Sequence, residues 1–354
     1  MTLAGVRSAT HLLHAGGYLR HLLATTTGSV VVDYLGSGTF LGRDPVRDEH
    51  LHTLLPHDAR LTLRVAGGPA VPAGPAGRAG RAGRAGAGAG AREERRILLS
   101  VGTPGIKPYL RLLARERSRP EVVVVDEGIG TYGDWRTRRD AWRRQGGREP
   151  WPTVRSLAVT AASRLLTDHR WALYEDVGGT WRVVPEVAAA FAASVAGLAA
   201  TSSPSRLAVY LTQPWVEMGL VPAEAFEGHL RQVAQACTDA GLELAVRPHP
   251  AERGGRYAAW HELGRDQPAE LDSAVLAAAV VLGTDSTALL NLAAVQGRPA
   301  LRVSVPQLRH LEQGLGRRQR ALLDTFLPTP LDPRQRDVLA TALRSAAGPG
   351  QVSN

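Results

Sequence analysis

The chain has 354 residues, a formal net charge of +9 and one cysteine, Cys237. A single cysteine excludes an intramolecular disulfide and is typical of a reducing compartment, while the length is sufficient for two domains with separate cores. No stretch approaches the roughly 20 apolar residues of a membrane span, and residues 1–6 do not resemble a secretory leader, so we expect a cytoplasmic protein.

The positive charge comes almost entirely from arginine, since Lys107 is the only lysine. Together with abundant alanine and glycine, this composition is typical of a GC-rich genome. It equally fits a protein that is attracted to anions such as phosphates, an acidic glycan or the anionic face of a membrane. Charge alone does not choose among these interpretations.

The first half of the chain has the pattern of an α/β lobe, with a helix that begins at Ser8 and that we expect Gly16 and Gly17 to interrupt. Strands are predicted at residues 3–7, 29–34, 60–65, 96–101 and 121–125. Residues 66–96 instead carry glycines at a spacing of three with arginines between them. Such a segment cannot bury a core, so we predict a disordered surface insertion, either an inert linker or a contact with an anionic surface.

The strand at 121–125 is a run of β-branched residues that leads into Asp126, Glu127 and Gly128, with Gly130 shortly after. This pattern predicts a buried parallel strand that delivers two acids to the carboxyl edge of its sheet, where open α/β sheets bind ligands. Two adjacent, partly dehydrated carboxylates raise each other's pKa, which suits one of them to accept a proton near neutral pH. The alternative is that one acid caps a turn or pairs with an arginine.

Two further patterns follow this strand. Residues 128–133 match the G-x-G-x-x-G fingerprint of dinucleotide-binding proteins, but the two acids would face the pyrophosphate and the next residues are arginine-rich, so we expect no nicotinamide or flavin site. Residues 134–148 place Trp135 and Trp142 seven positions apart among arginines. We predict a helix that lies on a membrane interface or an acidic polymer, or whose tryptophans pack on the lobe.

A serine-rich linker at 201–205 precedes a second α/β series. Helices are predicted at 156–166, 185–198, 222–240 and 288–296, and strands at 206–211, 242–246, 278–282 and 300–305. The strand at 242–246 leads into Arg247 and then into His249, which lies between Pro248 and Pro250 and is held rigidly by them. A protonated imidazole here would neutralise a departing phosphate and Arg247 would bind the same oxygens, unless His249 is a turn residue with no ligand.

The strand at 278–282 ends in a loop rich in hydroxyls at the start of a helix. Its residues are Gly283, Thr284, Asp285, Ser286 and Thr287. Backbone amides and hydroxyls at a helix N-terminus form an anion site, although simple N-capping explains either hydroxyl taken alone. No motif with metal-ligand spacing occurs, so we expect neither a protein-ligated metal nor another cofactor.

Three motifs in this order, Asp126-Glu127-Gly128, His249-Pro250 and Ser286-Thr287, resemble those of bacterial sialyltransferases and polysialyltransferases. The N-terminal segment 8–13 and the segment 211–214, which contains Gln213, are also similar. The resemblance implies an α/β fold of the GT-B type, with two Rossmann-like lobes that face a central cleft. Residues 1–200 would form the acceptor-side lobe and residues 201–354 the lobe that binds the nucleotide sugar.

The resemblance further implies inverting transfer of a sialic acid or related nonulosonate from CMP-sialic acid, CMP-Kdn or CMP-Kdo to a glycan or glycolipid acceptor. Glu127, in preference to Asp126, would be the general base, with Gly128 and Gly130 shaping the acceptor-side loop. His249 would stabilise the phosphate. The expected donor contacts are Arg247, Pro250, Gln213, Gly283, Thr284, Ser286 and Thr287.

Two features depart from the family pattern, namely the insertion at 66–96 and Asp285, which places a carboxylate beside the expected phosphate. Two other functions stay open. One is a GT-B enzyme that uses a UDP-sugar, a GDP-sugar or a CDP-polyol, and the other is a non-catalytic protein that binds polyanions. We expect no nucleic-acid partner, because no nucleic-acid-binding module is apparent, and a peripheral position at the inner face of the membrane is compatible with the arginine-rich segment.

Overall fold

The computed structural model describes residues 1–36, 46–65, 71–72, 96–116, 118–144, 146–193 and 205–348. The chain forms two compact units. The first contains Met1–Gly38, Val46–Glu127 and Ala158–Ala172, and the second contains Gly128–Leu157 and Leu173–Asn354. The predicted insertion, apart from residues 71–72 and 96, and the predicted linker, apart from Ser205, lie outside the described residues.

The first unit is built on a seven-stranded sheet in which six strands are parallel. Its strands are β1 (Thr2–Ala4), β2 (Val30–Tyr34), β3 (Leu61–Val65), β4 (Val71–Pro72), β5 (Ile97–Val101), β6 (Glu121–Val125) and β7 (His169–Trp171). The order β4-β3-β2-β1-β5-β6-β7 changes direction between β1 and β5. This is the Rossmann-like arrangement, in which ligands bind beyond the carboxyl ends of the strands at the point of reversal.

The described helices of the first unit include α1 (Ala9–Thr25), α2 (Asp48–Leu54) and α3 (Ile106–Glu116). The predicted interruption of α1 at Gly16 and Gly17 is wrong, because α1 continues through both residues. A Cβ atom on Gly16 would lie 2.5 Å from the carbonyl oxygen of Leu54. The glycine therefore permits close approach of α2, and this packing outweighs the low helix propensity of glycine.

The middle of the chain contributes to both units. It contains a 3₁₀ helix (Ile129–Tyr132), the helices α4 (Trp135–Arg144), α5 (Trp151–Leu166) and α6 (Pro185–Ala192), and the antiparallel hairpin β8 (Tyr174–Val177) and β9 (Thr180–Val183). The sequence analysis missed the hairpin, whose turn consists of Gly178 and Gly179, both at positive φ. Such a two-glycine turn is a favoured hairpin connection.

The predicted boundary at residue 200 does not coincide with the division into units, because the hairpin packs within the second unit. Its Tyr174 ring lies 5.5 Å from the ring of Phe326, and the guanidinium of Arg318 lies 5.2 Å from the ring of Trp181. These contacts join segments that are distant in sequence. A boundary drawn from composition alone does not detect them.

The second unit contains a five-stranded parallel sheet, which confirms the predicted second α/β series. Its strands are β10 (Leu207–Leu211), β11 (Glu243–Arg247), β12 (His261–Glu262), β13 (Val280–Gly283) and β14 (Ala300–Arg302). Its helices are α7 (Ala223–Asp239), α8 (Ser273–Ala277), α9 (Thr287–Ala294), α10 (Arg309–Gln313), α11 (Arg317–Phe326) and α12 (Arg336–Ala347), with 3₁₀ helices at Ala269–Leu271 and Pro306–Leu308. The order β12-β11-β10-β13-β14 changes direction between β10 and β13.

Each sheet is buried by its helices, as its run of apolar strand residues predicts. In the second unit Tyr210, Phe226 and Tyr257 are fully buried and lie in one apolar cluster. Within the described part of the chain, no helix is both long enough and apolar enough to cross a membrane.

Candidate functional site

The predicted functional residues lie at the carboxyl ends of strands in both units. We call the ends of β1, β5 and β6 the first edge, and the ends of β10, β11 and β13 the second edge. Parallel strands deliver the residues that follow them to one edge of a sheet, which is why loops distant in sequence share an edge.

The first edge carries Asp126 and Glu127, which differ in exposure. Asp126 is fully buried, and its backbone N–H donates to the carbonyl of Trp171 at 3.2 Å. Glu127 is partly exposed. Its side chain lies against Gly102, where an added Cβ atom would be 2.9 Å from the Cβ atom of Glu127. Of the two acids, Glu127 is thus the one that can meet a substrate.

His11 fixes the backbone of the acidic loop on the first edge. Ser8 caps α1, and Nδ1 of His11 accepts the backbone N–H of Arg7 at 3.0 Å. The imidazole is also hydrogen-bonded to the backbone of Glu127, so Nε2 carries the proton and donates it. Burial, followed by the charges of His14 and Arg7, lowers the pKa of His11 to about 3. His11 is therefore neutral, and the sequence analysis assigned it no role.

The chain passes from the first unit to the second between Glu127 and Gly128. Gly128 has φ of +105° and is buried, and an added Cβ atom would lie 2.8 Å from the Cβ atom of Thr287. The backbone N–H of Ile129 donates to the Thr287 hydroxyl at 3.2 Å, and Gln319 Nε2 donates to the Ile129 carbonyl at 3.0 Å. The start of the second unit is therefore fixed to the first residue of α9, so two of the three predicted motifs touch there.

A buried polar chain supports α9 behind this contact. The Tyr174 hydroxyl donates to Asn291 Oδ1 at 2.8 Å, and Asn291 Nδ2 donates to Glu270 Oε1 at 3.1 Å. The backbone N–H of Tyr174 in turn donates to the Tyr132 hydroxyl at 3.1 Å. Thr287 and Asn291 are one helical turn apart, so one side of α9 contacts both Ile129, which follows the acidic loop, and Tyr174 of the hairpin.

On the second edge, the His249 loop is organised by Glu252, which the sequence analysis did not identify. Glu252 is fully buried and accepts hydrogen bonds from the His249 backbone N–H at 2.6 Å, the Tyr257 hydroxyl at 2.6 Å and the Thr212 hydroxyl. Burial raises the pKa of Glu252, while the hydrogen bonds from Thr212, Tyr257 and His249 oppose that rise. Glu252 is recognised by its burial, and the burial of a single glutamate cannot be predicted from the neighbouring sequence.

The imidazole of His249 is neutral at physiological pH. Nδ1 accepts the backbone N–H of Ala251 at 3.1 Å, which leaves the ring proton on Nε2. Burial and then the charge of Arg247 lower the pKa of His249 to about 4, against an opposing effect of Glu217. His249 is therefore a neutral imidazole with its proton on Nε2, rather than the cation that the sequence analysis expected.

Arg247 is turned into a buried ion pair. Its Nε donates to Asp272 Oδ2 at 2.9 Å, and a second guanidinium nitrogen donates to the carbonyl of Gln267. Asp272 also accepts the backbone N–H of Ala274 at 3.0 Å and so caps α8. Instead of the predicted phosphate clamp, we therefore assign Arg247 to holding the end of β11 in place.

The hydroxyl loop after β13 combines a cap with an ion pair. Ser286 Oγ accepts the backbone N–H of Leu289 at 3.1 Å, so Ser286 caps α9 as the alternative interpretation held. Asp285 lies 3.5 Å from Arg302, whose guanidinium also pairs with Asp324 at 2.6 Å. Burial raises the pKa of Asp285 and the charge of Arg302 opposes this. Arg302 thus balances the charge of the Asp285 carboxylate.

The other predicted contacts lie on the second edge or next to its loops. Gly283 ends β13 and Thr284 is buried beside it. The carbonyl of Gln213 accepts the backbone N–H of Trp215 at 2.7 Å in the turn after β10, and Pro250 is exposed. The exposed Gly130 lies within the 3₁₀ helix rather than in an open loop.

A cavity of about 440 Å³ lies away from these residues, at the amino end of β3. Arg20, His57, Asp58 and Arg60 are among the residues that line it. Arg60 donates to Asp58 and to the last carbonyls of α1, at 2.9 Å to Leu23. Its guanidinium thus closes the end of α1, and the cavity contains none of the predicted site residues.

Among the described residues, no group of three or more histidine, cysteine, aspartate or glutamate side chains is arranged to hold a metal ion. No protein-family model matches the sequence, and no curated protein matches it at a significant level of similarity. Functional assignment therefore depends on the chemistry of the two edges.

Proposed function

We propose that the protein is an inverting glycosyltransferase that transfers a sialic acid or related nonulosonate from a CMP-activated donor to an acceptor hydroxyl. The contact between Gly128 and Thr287 carries this proposal. A trans peptide bond keeps the Cα atoms of Glu127 and Gly128 about 3.8 Å apart. Gly128 follows the candidate base directly in the chain and touches Thr287, the first residue of α9.

The second edge supplies the donors that a leaving phosphate requires. β11 and β13 flank β10, so the loops that follow them are separated by about 10 Å, two interstrand spacings. The neutral His249 donates through Nε2, and the hydroxyls of Ser286 and Thr287 keep the capacity to donate while their oxygens accept backbone N–H groups. The N-terminus of α9 adds a favourable dipole for an anion.

In the proposed reaction Glu127 takes the proton of the acceptor hydroxyl. At the same time the hydroxyl oxygen forms a bond to the anomeric carbon of the donor sugar. The bond between that carbon and the phosphate oxygen breaks, and CMP leaves with the bonding electron pair. Attack and departure on opposite faces invert the anomeric centre. Donors placed at the departing oxygen stabilise charge that develops only in the transition state.

The charge of the second edge favours a donor with one phosphate. Arg247 is neutralised by Asp272, and Arg302 by Asp285 and Asp324. A site that binds with hydrogen-bond donors and a helix N-terminus suits the single negative charge of a CMP-sugar phosphodiester better than a pyrophosphate. UDP-sugars, GDP-sugars and CDP-polyols are the competing donors.

The proposal includes a cytoplasmic location with a glycan or glycolipid acceptor. The single cysteine supports this location, since Cys237 is buried and is the only thiol of the chain.

The test is donor consumption by the purified protein. CMP-Neu5Ac, CMP-Kdn and CMP-Kdo are incubated separately with and without glycan acceptors, and CMP release and acceptor mass are followed. Thermal-shift measurements with CMP, CDP, UDP and GDP identify the nucleotide that stabilises the fold. We expect CMP to stabilise the protein most and one CMP-sugar to be consumed. Stabilisation by UDP or GDP alone, or no consumption of any CMP-sugar, would overturn the proposal.

A further inference from the structure

The helix α5 exposes an apolar stripe along its whole length. At 3.6 residues per turn, its apolar residues Trp151, Val154, Leu157, Ala158, Ala161 and Leu165 fall within an arc of about 120°. Leu165 is 74% exposed and Trp151 is 65% exposed. Isolated exposed apolar residues are ordinary, whereas a continuous apolar stripe of this kind marks an interaction surface.

The helix α3 adds a second exposed apolar strip in the first unit. Ile106, Leu110 and Leu113 follow helical spacing, and Leu110 is 54% exposed. The neighbouring side of α3 packs Leu112 against a buried cluster that contains Leu98, Val122 and Val124 on one face of the first sheet. Leu166, the last residue of α5, packs against the same cluster. The C-terminal part of α5 and α3 therefore cover one face of the first sheet.

Basic side chains border both strips. Arg155 and Arg164 lie on opposite sides of the apolar arc of α5, which contains no acidic residue. Lys107 and Arg111 lie one turn apart beside the apolar strip of α3, and both are exposed. We propose that α3 and the C-terminal part of α5, both in the first unit, form a docking surface for an anionic lipid membrane, on which the exposed apolar side chains enter the interface and Lys107, Arg111 and Arg164 pair with headgroups.

The geometry of α5 favours a position along the interface rather than across a bilayer. Its 16 residues give a length of about 24 Å, shorter than the hydrocarbon core, and two arginines lie within it. A second copy of the chain is a poorer occupant. A symmetric contact between two such faces would bring their basic side chains together, whereas anionic headgroups supply the opposite charge.

This surface is distinct from the tryptophan and arginine segment that the sequence analysis selected for membrane contact. Trp135 and Trp142 are partly buried. The guanidinium of Arg136 lies 5.1 Å from the Trp135 ring and that of Arg155 lies 4.5 Å from the Trp142 ring. These cation-π contacts favour the alternative in which both tryptophans pack on the protein.

The test is co-sedimentation of the full-length chain with vesicles of phosphatidylcholine alone or of equal parts phosphatidylcholine and phosphatidylglycerol. We expect binding to the anionic vesicles only, with weakening as salt is raised, since salt screens the basic residues. The double variant Leu110→Ser, Leu165→Ser should bind roughly tenfold less or weaker still, because the apolar contact is lost. The matched control is Val338→Ser, which changes an exposed apolar residue on α12 and should bind like wild type.

These measurements test membrane binding independently of the proposed catalysis, because vesicle binding needs no sugar donor. Circular dichroism and unfolding midpoints confirm that the variants fold. Absence of wild-type binding to anionic vesicles, or undiminished binding by the double variant, overturns the proposal. A wild-type dimer in light scattering that becomes a monomer in the double variant also overturns it, in favour of a second copy as the occupant.

Discussion

His11 on the first edge and His249 on the second edge are held by the same device. Each accepts a backbone N–H at Nδ1, from Arg7 at 3.0 Å and from Ala251 at 3.1 Å, and burial is the main cause that lowers each pKa, to about 3 and about 4. The two histidines differ in the surroundings of Nε2. In His11 it donates to the Glu127 backbone, whereas His249 is partly exposed beside the second edge. One imidazole therefore holds the acidic loop, and the other reaches the surface.

The carboxylates of the two edges show the opposite contrast. Glu127 on the first edge is partly exposed, while Glu252 on the second edge is fully buried and accepts three hydrogen bonds. The first edge thus presents its acid and buries its imidazole, and the second edge presents its imidazole and buries its acid. The proposed function assigns proton transfer to the first edge and phosphate binding to the second.

The largest expected effect concerns the buried charges that hold the second edge. Arg247→Met leaves Asp272 buried without its guanidinium partner, and we expect a loss of about 3 kcal/mol or more in the free energy of unfolding. Urea unfolding followed by circular dichroism measures it. Arg231→Met is the control, because its pair with Glu227 is exposed at 4.0 Å and should contribute about 0.5 kcal/mol or less. Equal losses in the two variants would contradict a structural role for Arg247.

The next effect tests proton transfer at the first edge. Glu127→Gln should lower kcat/KM for the CMP-sugar roughly 10²-fold or more, because the amide cannot accept the acceptor proton. The free energy of unfolding should change little, since Glu127 is partly exposed. Glu121→Gln is the matched control at the amino end of the same strand, where Glu121 lies 3.3 Å from His169. Wild-type kinetics in Glu127→Gln would remove the residue from the mechanism.

A third effect tests the contact between Gly128 and α9. Gly128→Ala should destabilise the fold by about 2 kcal/mol, because alanine is strained at φ of +105° and its Cβ atom would overlap the Thr287 side chain. Gly146→Ala is the control for backbone strain, since Gly146 has φ of +89° but has nothing within 4 Å of an added Cβ atom. Chemical unfolding compares them, and equal destabilisation would mean that contact with Thr287 adds nothing.

The smallest expected effect is a change in the pKa of His249. The pKa of His249 is lowered in the folded state from 6.5 to about 4, so its contribution to stability is present above pH 6.5 and is lost as pH falls towards 4. CMP should raise the pKa of His249, because a nearby phosphate favours the imidazolium form. NMR titration of the ring protons with and without CMP measures both values, with His249→Asn used to assign the signal. An unchanged pKa with CMP bound would place the phosphate elsewhere.

Most of the parallel strands and the loops that follow them were predictable from the sequence, whereas β7, β12 and the hairpin of β8 and β9 were not. Runs such as 121–125 and 242–246 are apolar and β-branched because both faces of a parallel strand are buried, and this local property is visible without coordinates. The positions of Glu127, His249 and Ser286 after their strands followed directly. Parallel topology then requires that loops of one sheet share an edge.

Long-range packing sets which of these groups keep their charge and which are paired inside the protein. Asp272 neutralises Arg247 from 25 positions away, Gly16 continues a helix because Leu54 packs against it, and Glu252 is identified by its burial. Pairing, close approach and desolvation depend on neighbours that are distant in sequence. Local pattern therefore located the candidate site, while long-range packing set its electrostatics.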